Sequence, residues 1–280
     1  MRLGIMFANA GRLGTAEGAE ALAAACDATG VESVWTVEHT VVPAGYESTY
    51  PYSIDGRMPV PESVPIPDPL VWLTWVAAHS ERVRLGTGIL ILPQRNPVTL
   101  AKEVATLDRM SGGRVLLGVG VGWLAEEFAA LGVPFADRGR RADEFIAAMR
   151  ELWTAEEPTF HGDFVDFERA LSEPKPAQMP VPIVVGGDSV AAARRAGRLG
   201  DGFFPAQPRD LGALLGEMRA AAVAAGRDPD GIEITTGGFP TPEGVSKLAS
   251  KGVSRLAIPP PSFTPDDIGP ALERVVDAIA

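Results

Sequence analysis

Residues 83–132, VRLGTGILILPQRNPVTLAKEVATLDRMSGGRVLLGVGVGWLAEEFAALG, contain two apolar runs separated by a helical segment. The first run, from Val83 to Leu92, has the composition of a strand that is buried on both faces. Asn96-Pro97 then predicts a helix start, and Ser111-Gly112-Gly113 predicts its end. Val115–Val119 is a second apolar run of strand length. Two buried strands joined by one helix form a right-handed parallel unit.

The same alternation of strand and helix extends over the rest of the chain. Strands are predicted at residues 3–7, 33–37, 83–92, 115–119, 183–185, 202–204, 232–236 and 255–258. Eight strands, each followed by a helix, over about 250 residues are typical of a (β/α)₈ TIM barrel. We therefore predict one barrel domain over residues 1–280, with loop insertions after strand two and before strand five. A doubly wound open sheet is the alternative.

Composition and charge restrict the class of protein. The formal net charge of −11 argues against nucleic-acid binding, which requires a basic surface. No apolar run is long enough to cross a membrane, and the first residues do not resemble a signal peptide. The single cysteine, Cys26, excludes an internal disulfide and favours a cytoplasmic location. The three histidines are scattered without nearby carboxylates at ligand spacing, so no metal site is expected.

The carboxyl ends of barrel strands are where active sites lie, and this rule selects the candidate residues. Glu38 and His39 follow strand two, and His39 is suited to acid–base or hydrogen-bonding work near neutral pH. A strand-end histidine that only satisfies loop carbonyls is the alternative. His79 and His161 are expected at the surface.

Glycines mark three further strand ends. Gly86 and Gly88 interrupt strand three, where either a ligand ring approaching the backbone or crowding in the barrel interior would require glycine. Gly120 and Gly122 follow strand four. The turn Gly186-Gly187-Asp188-Ser189 follows strand five and could bind a phosphate at a helix N-terminus or simply form a capped turn.

Residues 40–67, which we call the lid segment, are rich in proline and show no helix or strand period. Long connections in compact domains are usually functional. Tyr46, Tyr50 and Tyr52 in this segment are predicted to cover the substrate; a packing insertion is the alternative.

Several of these stretches together resemble the bacterial luciferase-like superfamily of flavin and deazaflavin oxidoreductases. They are the sequences WTVEH from Trp35, LGTGILILPQRNP from Leu85, LDRMSGGRVLLGVGVGWLAEEFAALGVPF from Leu107, RRADEFIAAMRELWT from Arg140 and VGGDSVAAARRAGRLGDGFF from Val185. The resemblance covers roughly three quarters of the chain in the expected order.

The resemblance implies a TIM barrel with a flavin or deazaflavin ring at the strand carboxyl ends. It places a non-proline cis peptide at Gly88-Ile89 behind the ring, the family's strand-two histidine at His39, and the cofactor phosphate at Gly186, Gly187, Asp188 and Ser189. Gly120 and Gly122 are assigned to the cofactor site as well. Glu38 is expected to orient the end of strand two beside His39.

Within the superfamily, the pattern from Gly118 to Phe135 most resembles the branch that uses coenzyme F420. The expected function is hydride transfer between F420 and a small organic substrate, in an enzyme that family habit suggests is a homodimer. An FMN-dependent monooxygenase and a non-catalytic flavin-binding barrel are the alternatives. The chain departs from family members at two places. Val121 or its glycine neighbours stand where the luciferases carry an arginine for the FMN phosphate, and Thr40 stands where many members have a second histidine.

Overall fold

The computed structural model describes residues 1–279, in which strands and helices alternate as predicted. The strands are β1 (Arg2–Met6), β2 (Ser33–Thr36), β3 (Arg84–Thr87), β4 (Leu90–Ile91), β5 (Val115–Gly120), β6 (Phe160–His161), β7 (Asp166–Phe167), β8 (Ile183–Gly186), β9 (Gly202–Phe204), β10 (Glu233–Gly237) and β11 (Arg255–Ile258). The α-helices are α1 (Ala16–Thr29), α2 (Pro69–Ala78), α3 (Pro97–Met110), α4 (Ala125–Ala130), α5 (Arg138–Thr154), α6 (Val190–Leu199), α7 (Leu211–Ala224), α8 (Pro242–Ala249) and α9 (Pro265–Ile279).

All strands except β6 and β7 form one parallel sheet, in the order β3-β2-β1-β11-β10-β9-β8-β5-β4. Both β3 and β4 pair with β5, through Leu85 opposite Val115 and Leu90 opposite Val119, so they are two segments of one barrel strand. Because β3 also pairs with β2, the sheet closes on itself. The predicted (β/α)₈ barrel is confirmed, and the open doubly wound sheet is wrong.

The third barrel strand differs from its prediction. The sequence predicts one run from Val83 to Leu92, but the strand is interrupted at Gly88 and Ile89, and the peptide bond between them is cis. This is the cis bond that the family resemblance implied. Beyond the break, the Ile91 N–H donates to the carboxylate of Glu38. Apolar residues continue on both sides of the break, so the hydrophobic pattern alone cannot locate the interruption of the strand.

The interior of the barrel is filled by a small apolar cluster that contains two aromatic rings. Its buried cluster consists of Met6, Trp35, Leu116, Val184, Phe204 and Ala257. A Cβ atom on Gly86 would lie 2.6 Å from the Trp35 indole, so Gly86 is required by packing against the protein's own ring. The Trp35 and Phe204 rings meet edge to face with centroids 5.2 Å apart, which is a favourable aromatic geometry.

The amino-terminal end of the barrel is closed by a buried ion-pair network. Arg255 is 1% exposed and donates to both carboxylate oxygens of Glu32 at 2.7 Å. It also pairs with Glu233 at 2.6 Å and donates to the Thr235 hydroxyl at 3.0 Å. Because this end is filled, the space for a ligand lies at the carboxyl ends.

Two insertions interrupt the strand–helix alternation, at the predicted places. The lid segment, residues 40–67, carries neither helix nor strand. β6 and β7 form an antiparallel hairpin outside the barrel, with Phe160 opposite Phe167. Among residues 1–279, no helix has the length and apolar character needed to cross a membrane.

Candidate functional site

A cavity of about 1130 Å³ lies at the carboxyl ends of the barrel strands. It is large enough for a three-ring organic ligand, because pockets for drug-sized molecules span about 300–1,000 Å³. The residues selected at the strand ends all line this one cavity; they are Glu38, His39, Gly88, Ile89, Gly120, Gly122, Gly186, Gly187, Asp188 and Ser189. The structure therefore brings the candidates together, while their chemical roles remain predictions.

Ile89 forms part of the cavity wall and explains two of the glycines. A Cβ atom on Gly120 would lie 2.6 Å from Ile89 Cδ1, and one on Gly186 would lie 2.3 Å from Ile89 Cγ2. Both glycines therefore make room for the Ile89 side chain, which projects across β5 and β8. Gly122 has a positive φ of 76°, where a side chain is disfavoured.

The imidazole of His39 hydrogen-bonds to the carboxylate of Glu127, a residue that was not predicted from the sequence. Its Nδ1 atom lies 2.9 Å from Glu127 Oε2, and the Glu127 side chain has no solvent exposure. An ionised carboxylate only accepts hydrogen bonds, so Nδ1 carries the proton. This leaves Nε2 as the ring nitrogen available to a ligand in the cavity.

The other oxygen of Glu127 fixes the start of the lid segment. Glu127 Oε1 accepts hydrogen bonds from the backbone N–H groups of Thr40 at 2.6 Å and Val41 at 3.3 Å. One buried carboxylate thus holds both the imidazole and the backbone that follows it. A sequence signal for Glu127 exists, since it shares the buried face of α4 with Leu124 and Phe128 at helical spacing.

The carboxylate of Glu38 is occupied by protein partners. It is almost fully buried and accepts hydrogen bonds from Ile91 N–H and from the guanidinium of Arg95, which also binds Asp68 at 2.6 Å. Burial raises the pKa of Glu38, and the positive charge of Arg95 opposes that rise. Glu38 therefore joins the end of β2 to β4, and its carboxylate is committed to positioning the backbone.

The lid segment packs on Trp123 and covers one side of the cavity. The Trp123 ring meets those of His39, Tyr46 and Tyr50 edge to face, at centroid distances of 5.7, 5.3 and 5.2 Å. Tyr50 in turn contacts Tyr52 at 5.3 Å. Tyr50 and Tyr52 line the cavity, whereas the ring of Tyr46 is buried in the segment itself. The prediction that all three tyrosines cover the substrate is thus wrong for Tyr46, whose hydroxyl accepts from a lid backbone N–H.

A second carboxylate of α4 also holds the lid segment. Glu126 accepts hydrogen bonds from the N–H groups of Glu47 at 2.6 Å and Ser48 at 2.9 Å, and from the Ser48 hydroxyl at 2.6 Å. These bonds lower the pKa of Glu126 to about 2. The adjacent residues Glu126 and Glu127 therefore attach two parts of the lid to one short helix.

In the turn after β8, the side chains of Ser189 and Asp188 each accept a backbone hydrogen bond, and one carboxylate oxygen of Asp188 has no partner. Ser189 Oγ accepts from Ala192 N–H at 3.1 Å and caps α6, as one reading of the sequence expected. Asp188 Oδ2 accepts from Gln207 N–H at 2.9 Å, but Oδ1 is buried without a hydrogen-bond partner. Burial raises the pKa of Asp188 to about 6. When ionised, this carboxylate opposes a phosphate at the same turn.

Two arginines that the sequence analysis did not select also line the cavity. Arg195 is neutralised by Asp143. Arg138 donates only to the backbone carbonyls of Gly122 at 3.2 Å and Phe135 at 3.0 Å, and it forms no ion pair within residues 1–279. The sequence carries a signal for Arg138, because a cation is unfavourable in the first turn of a helix and α5 begins at this residue.

His79 and His161 are exposed, as expected, and lie outside the cavity. In the described part of the chain, no cluster of three or more His, Cys, Asp or Glu side chains could hold a metal ion.

Comparison with known proteins gives a family match over most of the chain. The family described as luciferase-like monooxygenase matches residues 1–246. An uncharacterized protein of Mycobacterium tuberculosis is 33% identical over 266 residues, covering 93% of both chains. An F420-dependent glucose-6-phosphate dehydrogenase of Kineococcus radiotolerans is 34% identical over 215 residues, covering 74% of this chain and 58% of that protein.

An FMNH(2)-dependent dimethylsulfone monooxygenase of Pseudomonas putida is 38% identical over 155 residues, covering 53% of this chain and 42% of that protein. Among solved structures, the coenzyme F420 dependent tetrahydromethanopterin reductase of Methanopyrus kandleri superposes with a TM-score of 0.76. That match covers 99% of this chain and 98% of the reductase at 16% identity, so it supports the barrel fold alone.

Proposed function

Because this chain belongs to the luciferase-like monooxygenase family, we propose that it is an oxidoreductase that moves a hydride between F420 and a small organic substrate. The observation that carries the proposal is the cavity at the strand ends, in which His39 presents Nε2 while Glu127 holds Nδ1. The similarity to an F420-dependent dehydrogenase over 74% of the chain supports F420 as the cofactor.

The residues of the cavity fit such a cofactor. Its volume of about 1130 Å³ exceeds what a three-ring system needs, which leaves room for a substrate beside it. Gly88 and Ile89 would support the ring, and Arg138 would bind the acidic arm because its charge has no carboxylate partner in residues 1–279. When bound, F420 would supply two-electron hydride chemistry and little reactivity toward oxygen.

His39 would handle the proton that accompanies the hydride. When an alcohol is oxidised, its carbon loses a hydride and its oxygen loses a proton, and Nε2 of His39 would accept that proton. In the reverse direction the imidazolium would return the proton to the carbonyl oxygen. The Glu127 carboxylate would stabilise the positive charge on His39 during this transfer and keep the ring oriented.

Tyr50 and Tyr52 would exclude water from the substrate side. Both line the cavity from the lid segment, and burial raises the pKa of each hydroxyl, so both remain neutral hydrogen-bonding groups at neutral pH. A water-poor site strengthens the His39–Glu127 interaction, because charges attract more strongly at low dielectric.

The second candidate function is an FMN-dependent monooxygenase. It is favoured by the 38% identity to a monooxygenase that uses FMNH(2), over 155 residues. The two candidates differ in cofactor preference and in oxygen use.

Fluorescence-quench titration of the protein with F420 and, separately, with FMN tests the proposal. We expect micromolar or tighter binding of F420 and much weaker binding of FMN. The opposite preference, together with oxygen consumption when FMNH(2) is added, would favour the FMN-dependent monooxygenase as the function of the protein. Absence of binding by either compound would overturn both.

A further inference from the structure

We propose that Asp188 binds an alcohol hydroxyl on the side chain of the cavity's ligand, at the turn where the family pattern alone assigns phosphate. The inference rests on the proposed function, since flavins and deazaflavins carry a hydroxylated ribityl chain. It concerns the recognition of that chain and is independent of the redox chemistry.

The first argument is the unfilled hydrogen-bonding capacity of Asp188. Its Oδ2 atom is used by the Gln207 N–H at 2.9 Å, which ties the turn to the segment after β9. Its Oδ1 atom is buried and has no partner. Buried polar atoms are nearly always satisfied in folded proteins, so an unpartnered oxygen on a cavity wall indicates that a ligand supplies the donor.

The second argument is that the rest of the turn leaves this role to Asp188. Ser189 Oγ already accepts the capping bond from Ala192, and Gly186 and Gly187 have no side chains. Gly187 has a φ of 123°, which allows the backbone to turn sharply before Asp188. Asp188 therefore carries the free side-chain acceptor of this strand end.

The third argument concerns the class of donor. A carboxylate accepts hydrogen bonds and repels other anions, so phosphate is a poor partner for Oδ1. An ammonium group would be attracted to Asp188, but Arg138 and Arg195 line the same cavity, and Arg138 has no carboxylate partner among the described residues. A ligand with hydroxyls on its chain and an acidic group at its end satisfies both Asp188 and Arg138.

The neighbours of Asp188 support a neutral donor. Burial is the main cause that raises the pKa of the Tyr50 and Tyr52 hydroxyls, and the negative charge of Asp188 raises both values further, so these two groups lie near its carboxylate. Neither tyrosine hydroxyl makes a hydrogen bond with Asp188. The space beside Oδ1 is therefore bordered by neutral hydroxyls rather than by a cation.

The test uses ligands that differ only in the side chain. Lumiflavin has the ring alone, riboflavin adds the hydroxyls, and FMN adds the phosphate; 8-hydroxy-5-deazariboflavin and F420 form the corresponding deazaflavin pair. Each is titrated by fluorescence quenching into the wild type, Asp188→Ala and Asp188→Asn, after thermal unfolding has shown that the variants fold. We expect Asp188→Ala to weaken the binding of riboflavin and of 8-hydroxy-5-deazariboflavin about tenfold or more, which is the effect of losing a charge-assisted hydrogen bond.

The remaining expectations separate this role from a general distortion. Lumiflavin affinity should change less than twofold in Asp188→Ala, and Asp188→Asn, which keeps an acceptor oxygen, should fall between the wild type and the alanine variant. The inference would be overturned if Asp188→Ala weakened the binding of all ligands equally, left the riboflavin affinity unchanged, or selectively increased the FMN affinity. In each of these cases the proposed function would stand, provided that the wild type binds the ring compounds. If the wild type binds none of the ring compounds, the proposed function fails and the role of Asp188 fails with it.

Discussion

The Nδ1 atom of His39 lies 2.9 Å from Oε2 of Glu127, whose side chain is fully buried on α4. The two residues are 88 positions apart in the chain, yet the fold brings their side chains into hydrogen-bond contact. Because Glu127 also holds the backbone N–H of Thr40, the orientation of His39 and the attachment of the lid segment depend on the same carboxylate.

Glu127→Gln should lower kcat about 10- to 100-fold with little change in cofactor affinity, because the amide keeps the shape but does not stabilise an imidazolium. The matched control is Glu126→Gln, which alters the neighbouring carboxylate that binds the lid but not His39. The measurement is steady-state kinetics together with a cofactor titration. Equal kcat values for the two variants would show that Glu127 has no role in proton transfer.

His39→Ala should reduce kcat about 10²- to 10⁴-fold, the range for loss of a general acid–base group, while F420 still binds. His79→Ala is the control, because that imidazole is exposed at the carboxyl end of α2, hydrogen-bonds to the Trp75 carbonyl and lies 3.6 Å from Glu20. Single-turnover hydride transfer, followed by F420 absorbance, separates chemistry from binding. Retention of wild-type rates by His39→Ala would remove His39 from the mechanism.

The barrel could be predicted because its strands are almost entirely buried, so the apolar runs and their spacing are visible in the sequence. The positions of the site residues also followed from the fold, since parallel strands end at one face. The partners of those residues could not be predicted in the same way. Glu127 reaches His39 only through tertiary structure, and Arg138 reaches the cavity only because α5 begins beside Gly122.

The glycines show why a residue type can be recognised as special before its reason is known. Gly86 was open to a ligand or a packing interpretation, and the structure fills the space beside it with Trp35. Gly120 and Gly186 were assigned to the cofactor through the family resemblance, whereas their immediate neighbour is Ile89. Sequence shows where a side chain is missing, and only the packed structure shows which atoms occupy the space.

Arg138→Met should weaken the binding of F420 about 10- to 100-fold but leave the affinity for 8-hydroxy-5-deazariboflavin unchanged, because only F420 carries an acidic arm. Arg140→Met is the control, since Arg140 lies on the same helix turn but is exposed and paired with Asp163. Titrations at low and high salt provide a second readout, because the Arg138 contribution should fall as salt screens the charge. Equal losses for the two ligands would contradict an anion site.

Asp188→Asn should stabilise the ligand-free protein above pH 6. Burial raises the pKa of Asp188 from its ordinary 3.8 to about 6. A pKa that is higher in the folded than in the unfolded protein means that the protonated carboxyl group favours the folded state. This contribution to the free energy of unfolding is complete below about pH 4 and is lost as the pH rises through 6, because the ionised carboxylate destabilises the folded state. The groups that face it include the N–H groups of Gln207 and Ala206, which oppose the rise in pKa, and the hydroxyls of Tyr50 and Tyr52.

The expected gain for Asp188→Asn at pH 7.5 is about 1–2 kcal/mol, after allowance for the solvent that reaches part of the side chain. It should disappear near pH 4, where the wild-type carboxyl is protonated. Urea unfolding at both pH values measures it, with Asp277→Asn as an exposed control on α9. A gain that is the same at both pH values would show that the carboxylate charge is not its source.

Gly186→Ala should destabilise the protein by about 1–3 kcal/mol, because the new Cβ atom would lie 2.3 Å from Ile89 Cγ2 and the wall of the cavity must shift. Combining it with Ile89→Ala removes that atom and leaves Ile89 Cβ at an ordinary 3.6 Å, so the double variant should lose less stability than the sum of the single variants. Gly216→Ala is the control, since nothing lies within 4 Å of its Cβ position on α7 and alanine favours helix. Urea unfolding of the wild type, the two single variants and the double variant gives the coupling free energy. A strictly additive result would mean that Gly186 is needed for a reason other than contact with Ile89.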